Sequence, residues 1–226
     1  MRKLFLSGGG DREQTRTIDQ RFAEEIDKEK PLLYIPAAMD ASRFPDCFRW
    51  IQGVFQPLGL HDIIMWTNLK GKSIRDLKEF SAVYIGGGNT FRLLKHVTDT
   101  RFIDILKDYV EQGGIIYGGS AGAIIFGKNI MTCSHMDDND AGIRDVNGLG
   151  LTDEYSIWCH YHHEDDPLIK AFMKQYDTPV ISLPEETAIL VEDTGIQVIG
   201  TKPAYVFRGE DRTVIHENDV IKKSST

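Results

Sequence analysis

The sequence predicts an α/β protein in which a mostly parallel central sheet carries helices on both faces. Short apolar runs alternate with longer stretches of helical period along the first half of the chain. Continuous apolar strands are typical of parallel sheets buried on both faces, and their alternation with helices is typical of α/β folds. Glycine-rich segments follow predicted strands at residues 7–10, 86–89 and 118–122.

The first elements follow from their apolar spacing and from the residues that end them. Residues 3–6 form a strand, and Asp11 can cap a helix over residues 11–28 by accepting a hydrogen bond from its first turn. A second strand, residues 32–35, stops at Pro36, which has no N–H group to continue it. Apolar residues at spacings of three and four predict a helix over residues 44–58.

The next elements continue the alternation. A third strand is expected at residues 62–65, Ser73 can cap a short helix through Phe80, and a fourth strand is expected at residues 82–85. Helices over residues 90–97 and 100–112 come next, and the second ends at two glycines that can adopt the left-handed cap conformation. A fifth strand follows at residues 115–117. The last third is expected to be rich in strands, at residues 156–162, 180–183, 188–191, 197–200, 204–208 and 213–215.

Composition excludes several classes of protein. The 226 residues are 41% hydrophobic and 27% charged, which indicates a folded globular chain, and without a linker or repeat we expect residues 1–226 to form one α/β domain. A net charge of −8 disfavours a nucleic-acid partner, because phosphate binding requires a basic surface. No segment reaches the roughly 18 apolar residues of a membrane span. Three cysteines without CxxC spacing favour a reducing, cytoplasmic location.

Residues 118–122, Gly-Gly-Ser-Ala-Gly, place Ser120 in a predicted strand-to-helix turn. The G-x-S-x-G pattern in this context is typical of a nucleophilic serine held in a sharp, strained turn. The N–H group of Ala121 would then lie beside any oxyanion that forms. A glycine-rich turn in which the serine only caps the helix is the alternative.

Residues 86–89, Gly-Gly-Gly-Asn, form a second turn between a strand and a helix. Three glycines allow backbone N–H groups to face a ligand, so the Gly88 amide could complete an oxyanion hole. A phosphate-binding turn or a tight connection would explain the same residues. The G-x-G-x-x-G fingerprint of dinucleotide binding is absent, which makes nucleotide binding the weaker interpretation.

Residues 158–166, Trp-Cys-His-Tyr-His-His-Glu-Asp-Asp, hold the densest group of reactive side chains. If residues 157–162 form a strand, His160 and His162 share one face. His160 could serve as general base to Ser120, both histidines could bind a metal with a carboxylate, or the segment could be a polar loop. Glu185 follows an apolar strand, where it could orient the base or simply lie on a surface turn.

Together these motifs resemble those of the dipeptidase E (α-aspartyl dipeptidase) family, a group of serine peptidases with the fold of class I glutamine amidotransferases. The resemblance covers nearly the whole chain and rests on residues 7–10, 86–91, 119–123, 160–161 and 183–185. It implies a serine peptidase without a cofactor that acts on short peptides as a monomer or homodimer. The roles it implies are Ser120 as nucleophile, His160 as base, Glu185 as orienting acid, and the Gly88 and Ala121 amides as oxyanion donors.

The chain departs from the family pattern in two places. His135 stands where the dipeptidase has an aspartate that is often proposed as part of the relay, and Gly119 stands where it has a tryptophan. The acids nearest to His135 are Asp137, Asp138 and Asp140. These departures leave the preference for an N-terminal aspartate open.

Three alternatives follow for the substrate and the activity. The relatives that degrade cyanophycin share the nucleophile element, so β-aspartyl bonds are a possible substrate. A catalytically idle protein that binds a small molecule or a protein partner is the second, and a metal-dependent hydrolase is the third. An acidic residue on the acyl side of the cleaved bond would need a cation, for which the candidates are Arg92, Arg144, His162 and His163.

Overall fold

A central sheet of eight strands and a smaller sheet of four organise the computed structural model, which describes residues 2–221. The strands are β1 (Lys3–Ser7), β2 (Leu32–Ile35), β3 (Ile63–Met65), β4 (Ala82–Ile85), β5 (Ile115–Gly119), β6 (Ser156–Trp158), β7 (Val180–Ser182), β8 (Thr187–Glu192), β9 (Gly195–Gly200), β10 (Ala204–Arg208), β11 (Asp211–Ile215) and β12 (Val220–Ile221). The helices are α1 (Arg16–Glu24), α2 (Phe44–Phe55), α3 (Ile74–Leu77), α4 (Thr90–Asp99), α5 (Phe102–Glu111), α6 (Ala121–Ile124) and α7 (Asp166–Tyr176).

The large sheet has the order β12-β9-β8-β1-β5-β4-β2-β3. The five strands from β1 to β3 in that order are parallel, whereas β8, β9 and β12 extend the sheet in antiparallel pairing. β1 lies where the two halves meet, paired with β5 on one side and with β8 on the other. The mostly parallel central sheet predicted from the sequence is therefore confirmed.

Side chains of the central strands alternate between two apolar cores. In β1, Leu4 and Leu6 face one core and Phe5 faces the other, as the period of two requires. Helices α3 to α6 contribute to the core that contains Leu4, while Phe22 of α1 and Phe55 of α2 pack in the core that contains Phe5. Helices thus cover both faces of the sheet, as predicted.

The smaller sheet, with the order β11-β10-β7-β6, is formed by strands of the last third of the chain. β6 and β7 are parallel, and β10 and β11 extend them in antiparallel pairing. Helix α7 packs on this sheet through residues such as Ile169 and Phe172, which join Trp158 and Phe207 in a third apolar cluster. Within residues 2–221, no helix is long and apolar enough to cross a bilayer.

Several predicted boundaries are wrong, for identifiable reasons. The first helix begins at Arg16, because the Asp11 carboxylate accepts hydrogen bonds from the N–H groups of Glu13 and Gln14 and closes a turn of its own. The strand predicted over residues 156–162 ends at Trp158. Helix α7 and strand β12 were not predicted, although the apolar spacing within residues 166–176 is a helical signal.

Asp19 of α1 is a carboxylic acid enclosed within the protein. The residue is 3% exposed, and its Oδ2 accepts a hydrogen bond of 2.8 Å from the Thr15 hydroxyl. Burial raises the pKa of Asp19 to about 6, although the Thr15 hydrogen bond acts in the opposite direction. The folded state therefore binds more protons than the unfolded state at pH values between the ordinary pKa of 3.8 and about 6, and stability falls as the pH rises through this range.

We expect Asp19→Asn to stabilise the protein at neutral pH, because it removes a buried charge and keeps the shape of the side chain. The gain in unfolding free energy should grow by roughly 1 kcal/mol between about pH 5 and about pH 8. Urea denaturation of both proteins at the two pH values measures this difference, with the exposed Asp104→Asn as control. A gain that does not change with pH would contradict this account.

Candidate active site

Ser120 lies in a strained turn between β5 and α6. Its φ of 52° and ψ of −114° are unfavourable for a residue with a side chain. The Ser120 N–H group donates to the Ser7 carbonyl at 3.1 Å, and the Ser120 carbonyl accepts from Ala123 and Ile124 at 2.7 and 2.9 Å. These bonds on both sides of the residue hold the turn in its strained conformation.

The turn depends on close approach of backbone at Gly122. A Cβ atom at this position would lie 2.1 Å from the Ile85 carbonyl oxygen, so a larger residue would push α6 away from the end of β4. The second glycine of the G-x-S-x-G pattern therefore has a steric explanation. Ala121, the first residue of α6, has an N–H group that the helix itself cannot bond.

Four side chains form a continuous series of contacts at this turn. Ser120 Oγ lies 2.9 Å from His160 Nε2, and His160 Nδ1 lies 2.8 Å from Glu185 Oε1. On the far side, Gln14 Nε2 donates to Glu185 Oε2 at 2.5 Å. A proton on Nδ1 of His160 would be donated to Glu185 and would leave Nε2 free to accept the Ser120 hydroxyl proton.

His160 follows β6 in a turn instead of lying within a strand. Its φ is 52°, and its N–H group donates to the Gly8 carbonyl at 2.9 Å. Gly9 lies against the imidazole, where a Cβ atom would be 2.3 Å from His160 Cε1, so only glycine leaves room for the ring. The end of β1 thus sets both the backbone and the ring of His160.

The prediction that His160 and His162 share a strand face is wrong, because the strand ends at Trp158. His162 instead precedes a short 3-10 turn, where its N–H group donates to Asp165 Oδ2 at 2.9 Å. Within residues 2–221, no group of three or more His, Cys, Asp or Glu side chains is arranged to hold a metal ion. The shared strand face on which the pairing of His160 and His162 as metal ligands depended is therefore absent from the described residues.

The Glu185 side chain is 31% exposed and is held as a carboxylate. Burial acts to raise its pKa, but hydrogen bonds from His160 and Gln14 outweigh burial and lower it. Gln14 was not predicted from the sequence, since a lone glutamine in a turn follows no pattern. Its place is fixed by a local bond, in which the Asp11 N–H group donates to Gln14 Oε1 at 2.8 Å.

The glycine loop that precedes α4 borders Ser120. A Cβ atom at Gly87 would lie 3.2 Å from Ser120 Cβ, which places this residue in contact with the serine. Gly88 has a φ of 134° and lines the same cavity as Ser120 and His160. Of the two residues predicted as oxyanion donors, Ala121 follows Ser120 in the chain and Gly88 lines the same cavity as Ser120.

The segment after α6 does not join the series of contacts at Ser120. The His135 ring stacks on Trp158, with ring centroids 4.2 Å apart and planes 11° apart. Asp137 Oδ2 accepts a bond of 2.8 Å from the N–H group of Thr90, and the Asp138 carbonyl accepts one of 2.8 Å from the Asn89 amide. These acids hold the start of α4, and hence the glycine loop, instead of contacting His160.

A cavity of about 440 Å³ opens beside Ser120. Its walls come from the ends of β1, β2, β4 and β5 and from the start of α2. Among the described residues that line it, Arg43 is the one arginine or lysine. The residues predicted from the sequence to bind an acidic P1 side chain do not line the cavity. Those four are Arg92, Arg144, His162 and His163.

Residues 4–199 match the family model of peptidase family S51. The chain belongs to peptidase family S51. It is 30% identical over 205 residues to a peptidase E of Nostoc sp. (strain PCC 7120), an alignment covering 84% of this chain and 81% of the relative. The predicted resemblance to the dipeptidase E family is confirmed, and family membership makes the chain a hydrolase of peptide bonds.

Two further proteins are similar to this chain, one in sequence and one in fold. The chain is 26% identical over 198 residues to a probable alpha-aspartyl dipeptidase of Drosophila melanogaster, covering 81% of this chain and 78% of that protein. The crystal structure of a peptidase from an acI-B1 Actinobacterium superposes with a TM-score of 0.77 at 17% identity, covering 99% of this chain and 97% of that one. The structural likeness establishes a shared fold.

We expect Asp137→Ala to lower the unfolding free energy by about 1 kcal/mol, because the first turn of α4 loses its carboxylate acceptor. Asp138→Ala is the matched control, since Asp138 contributes only a backbone carbonyl to the loop and its loss should be near zero. Chemical denaturation of the two variants beside the unmodified protein measures both effects. Equal destabilisation by the two substitutions would rule out a capping role for Asp137.

Proposed function

We propose that this S51 peptidase is a serine peptidase that hydrolyses short peptides through Ser120, His160 and Glu185. The observation that carries the proposal is the pair of contacts at 2.9 and 2.8 Å that connects a strained serine to a histidine and the histidine to a carboxylate. A nucleophile, a base and an orienting acid in this relation are the elements of serine hydrolysis on several unrelated folds.

In this mechanism, Ser120 Oγ attacks the carbonyl carbon of the scissile bond while His160 Nε2 takes the hydroxyl proton. The carbonyl oxygen becomes an oxyanion, which the amides of Gly88 and Ala121 stabilise. His160 then gives its proton to the leaving amine, so the C–N bond breaks and an acyl-enzyme on Ser120 remains. Water, deprotonated by His160, attacks the ester and releases the acid and the free serine.

The surrounding contacts supply the preorganisation that this chemistry requires. Glu185 fixes the tautomer of His160 and stabilises the imidazolium that forms after proton transfer. The backbone bonds at Ser7 and Gly8 keep the nucleophile and the base in register before substrate arrives. One oxyanion donor contributes about 3 kcal/mol in comparable enzymes, so an ordered glycine loop is a substantial part of the catalytic machinery.

Short peptides are the substrates to test, and the name of one relative suggests which dipeptide to test first. One relative is a probable alpha-aspartyl dipeptidase, which supports a dipeptide with N-terminal aspartate as the reference substrate. Hydrolysis of Asp-Leu beside Ala-Leu therefore provides the first assay. Cleavage of neither dipeptide would direct attention to other short peptides, including those with β-aspartyl bonds.

We expect Ser120→Ala to reduce kcat/KM at least 10³-fold and to abolish labelling by a fluorophosphonate, because both processes need the activated hydroxyl. Glu185→Gln should reduce kcat roughly 10²- to 10⁴-fold while the fold is retained, since the amide no longer holds the required tautomer. Ser134→Ala, on an exposed serine, is the control for substitution of a hydroxyl. Full activity in Ser120→Ala would refute the proposed mechanism.

We expect Gln14→Met to lower kcat with little change in KM and to move the acid limb of the kcat/KM profile to higher pH. The Gln14 hydrogen bond lowers the pKa of Glu185, so its loss raises that pKa and keeps the carboxyl protonated up to a higher pH. Pre-steady-state and steady-state kinetics across the acid range measure both effects. A proportional loss of activity at every pH would instead indicate a purely structural role.

A further inference from the structure

We propose that the cavity beside Ser120 selects peptides whose P1 residue, the one that supplies the scissile carbonyl, has a large uncharged side chain. This inference rests on the proposed function, because attack by Ser120 defines which residue is P1. It concerns the walls of the cavity and not the chemistry of the triad. Five features of the cavity carry it.

Aromatic side chains form the rigid part of the cavity wall. Tyr34 and Tyr84 are almost fully buried, and Tyr84 stacks on Tyr117 with ring centroids 4.5 Å apart. Trp50 packs edge-on against Tyr84 at 6.2 Å and is 39% exposed. Met39 and Cys47, both half-buried, complete this apolar wall. Such a surface favours an aromatic or long aliphatic side chain over a carboxylate.

The aromatic wall lies directly beneath the loops that carry the reacting groups. A Cβ atom at Gly119 would lie 3.0 Å from the Tyr84 hydroxyl, and one at Gly86 would lie 2.9 Å from the Tyr34 hydroxyl. Gly119 immediately precedes Ser120. A carbonyl positioned at Ser120 therefore has its own side chain within reach of these tyrosines.

The arginine that lines the cavity is already paired with a neighbouring carboxylate. Arg43 Nε lies 3.7 Å from Asp46 Oδ2, and Asp46 also pairs with Arg49. The Arg43 side chain is 60% exposed, so solvent and salt screen its charge. A P1 carboxylate would have to compete with Asp46 for this arginine, which offers it little stabilisation.

One residue that lines the cavity is bonded to a buried carboxyl group. Thr15 lines the cavity and donates its hydroxyl proton to Asp19, so a buried carboxyl lies one side chain behind the surface. A second carboxylate placed in the cavity would be repelled by Asp19 once that group is ionised. An uncharged side chain meets no such repulsion.

The size of the cavity agrees with a large P1 side chain. Its 440 Å³ falls within the roughly 300–1,000 Å³ typical of ligand pockets. An aromatic side chain buries roughly 150–250 Å² and would contact both Trp50 and the tyrosines. An alanine side chain would leave most of the cavity to water.

The test is hydrolysis of the aminoacyl p-nitroanilides of Phe, Leu, Ala and Asp by the full chain, because the leaving group is constant and only P1 varies. We expect kcat/KM for the Phe and Leu substrates to exceed that for Ala and Asp by roughly ten-fold or more. An Asp substrate cleaved as fast as Phe or faster, with Ser120→Ala inactive, would overturn the inference and leave the proposed function intact.

A variant of the wall separates specificity from general damage. Trp50→Ala should reduce kcat/KM for the Phe substrate roughly ten-fold and hardly affect the Ala substrate, because only the larger side chain reaches the indole. Leu168→Ala, at an exposed position on α7 outside the cavity, is the matched control. An equal loss on both substrates in Trp50→Ala would mean that the residue only supports the fold.

A binding measurement decides the matter if the anilides are poor substrates. In α-aminoboronic acids, boron replaces the carbonyl carbon of the P1 residue and binds an activated serine without turnover. The concentration that protects Ser120 from fluorophosphonate labelling therefore reports the P1 preference. The Phe-like boronic acid should protect at a concentration at least ten-fold lower than the Asp-like one. Equal protection, or none, overturns the inference, whereas absence of any labelling at Ser120 refutes the proposed function itself.

Discussion

The carboxyl end of β1 is the constraint on which the rest of the site depends. Ser7 accepts the hydrogen bond from the Ser120 N–H group, and Gly8 accepts the one from His160. The Gly8 N–H group donates to the Thr187 carbonyl at 2.9 Å, which joins β1 to the strand that follows Glu185. Gly9, the next residue, lies against the His160 imidazole. Three consecutive residues at the end of β1 thus align the members of the proposed triad.

This arrangement explains why the site forms where the two sheets meet. The turn after β5 supplies Ser120, the turn after β6 supplies His160, and the turn before β8 supplies Glu185. β5 and β8 are the two neighbours of β1 in the large sheet, whereas β6 belongs to the small one. A displacement of either sheet would break a contact of about 3 Å, so packing between the sheets is itself a condition for catalysis in the proposed mechanism.

The part of the site that could be predicted is the part encoded by local sequence. Ser120 follows from a strand, small residues and a helix within a few positions, and β2 and β4 follow from short apolar runs between turns. The small sheet could not be foreseen, because alternation along a strand does not specify which strand it pairs with. Gln14 reaches Glu185 across 171 positions of the chain, so only the tertiary fold reveals its contact.

The triad and the cavity wall are built from different parts of the chain, which separates chemistry from selectivity. The contacts of Ser120 and His160 depend on β1, whereas Met39, Arg43, Cys47 and Trp50 lie between the end of β2 and the middle of α2. Substitutions in that segment would reshape the wall without moving the bonds at Ser7 and Gly8. The similarity to aspartyl dipeptidases therefore concerns the chemistry by which this chain cleaves a peptide bond. The aromatic wall and its paired charges concern the choice of substrate.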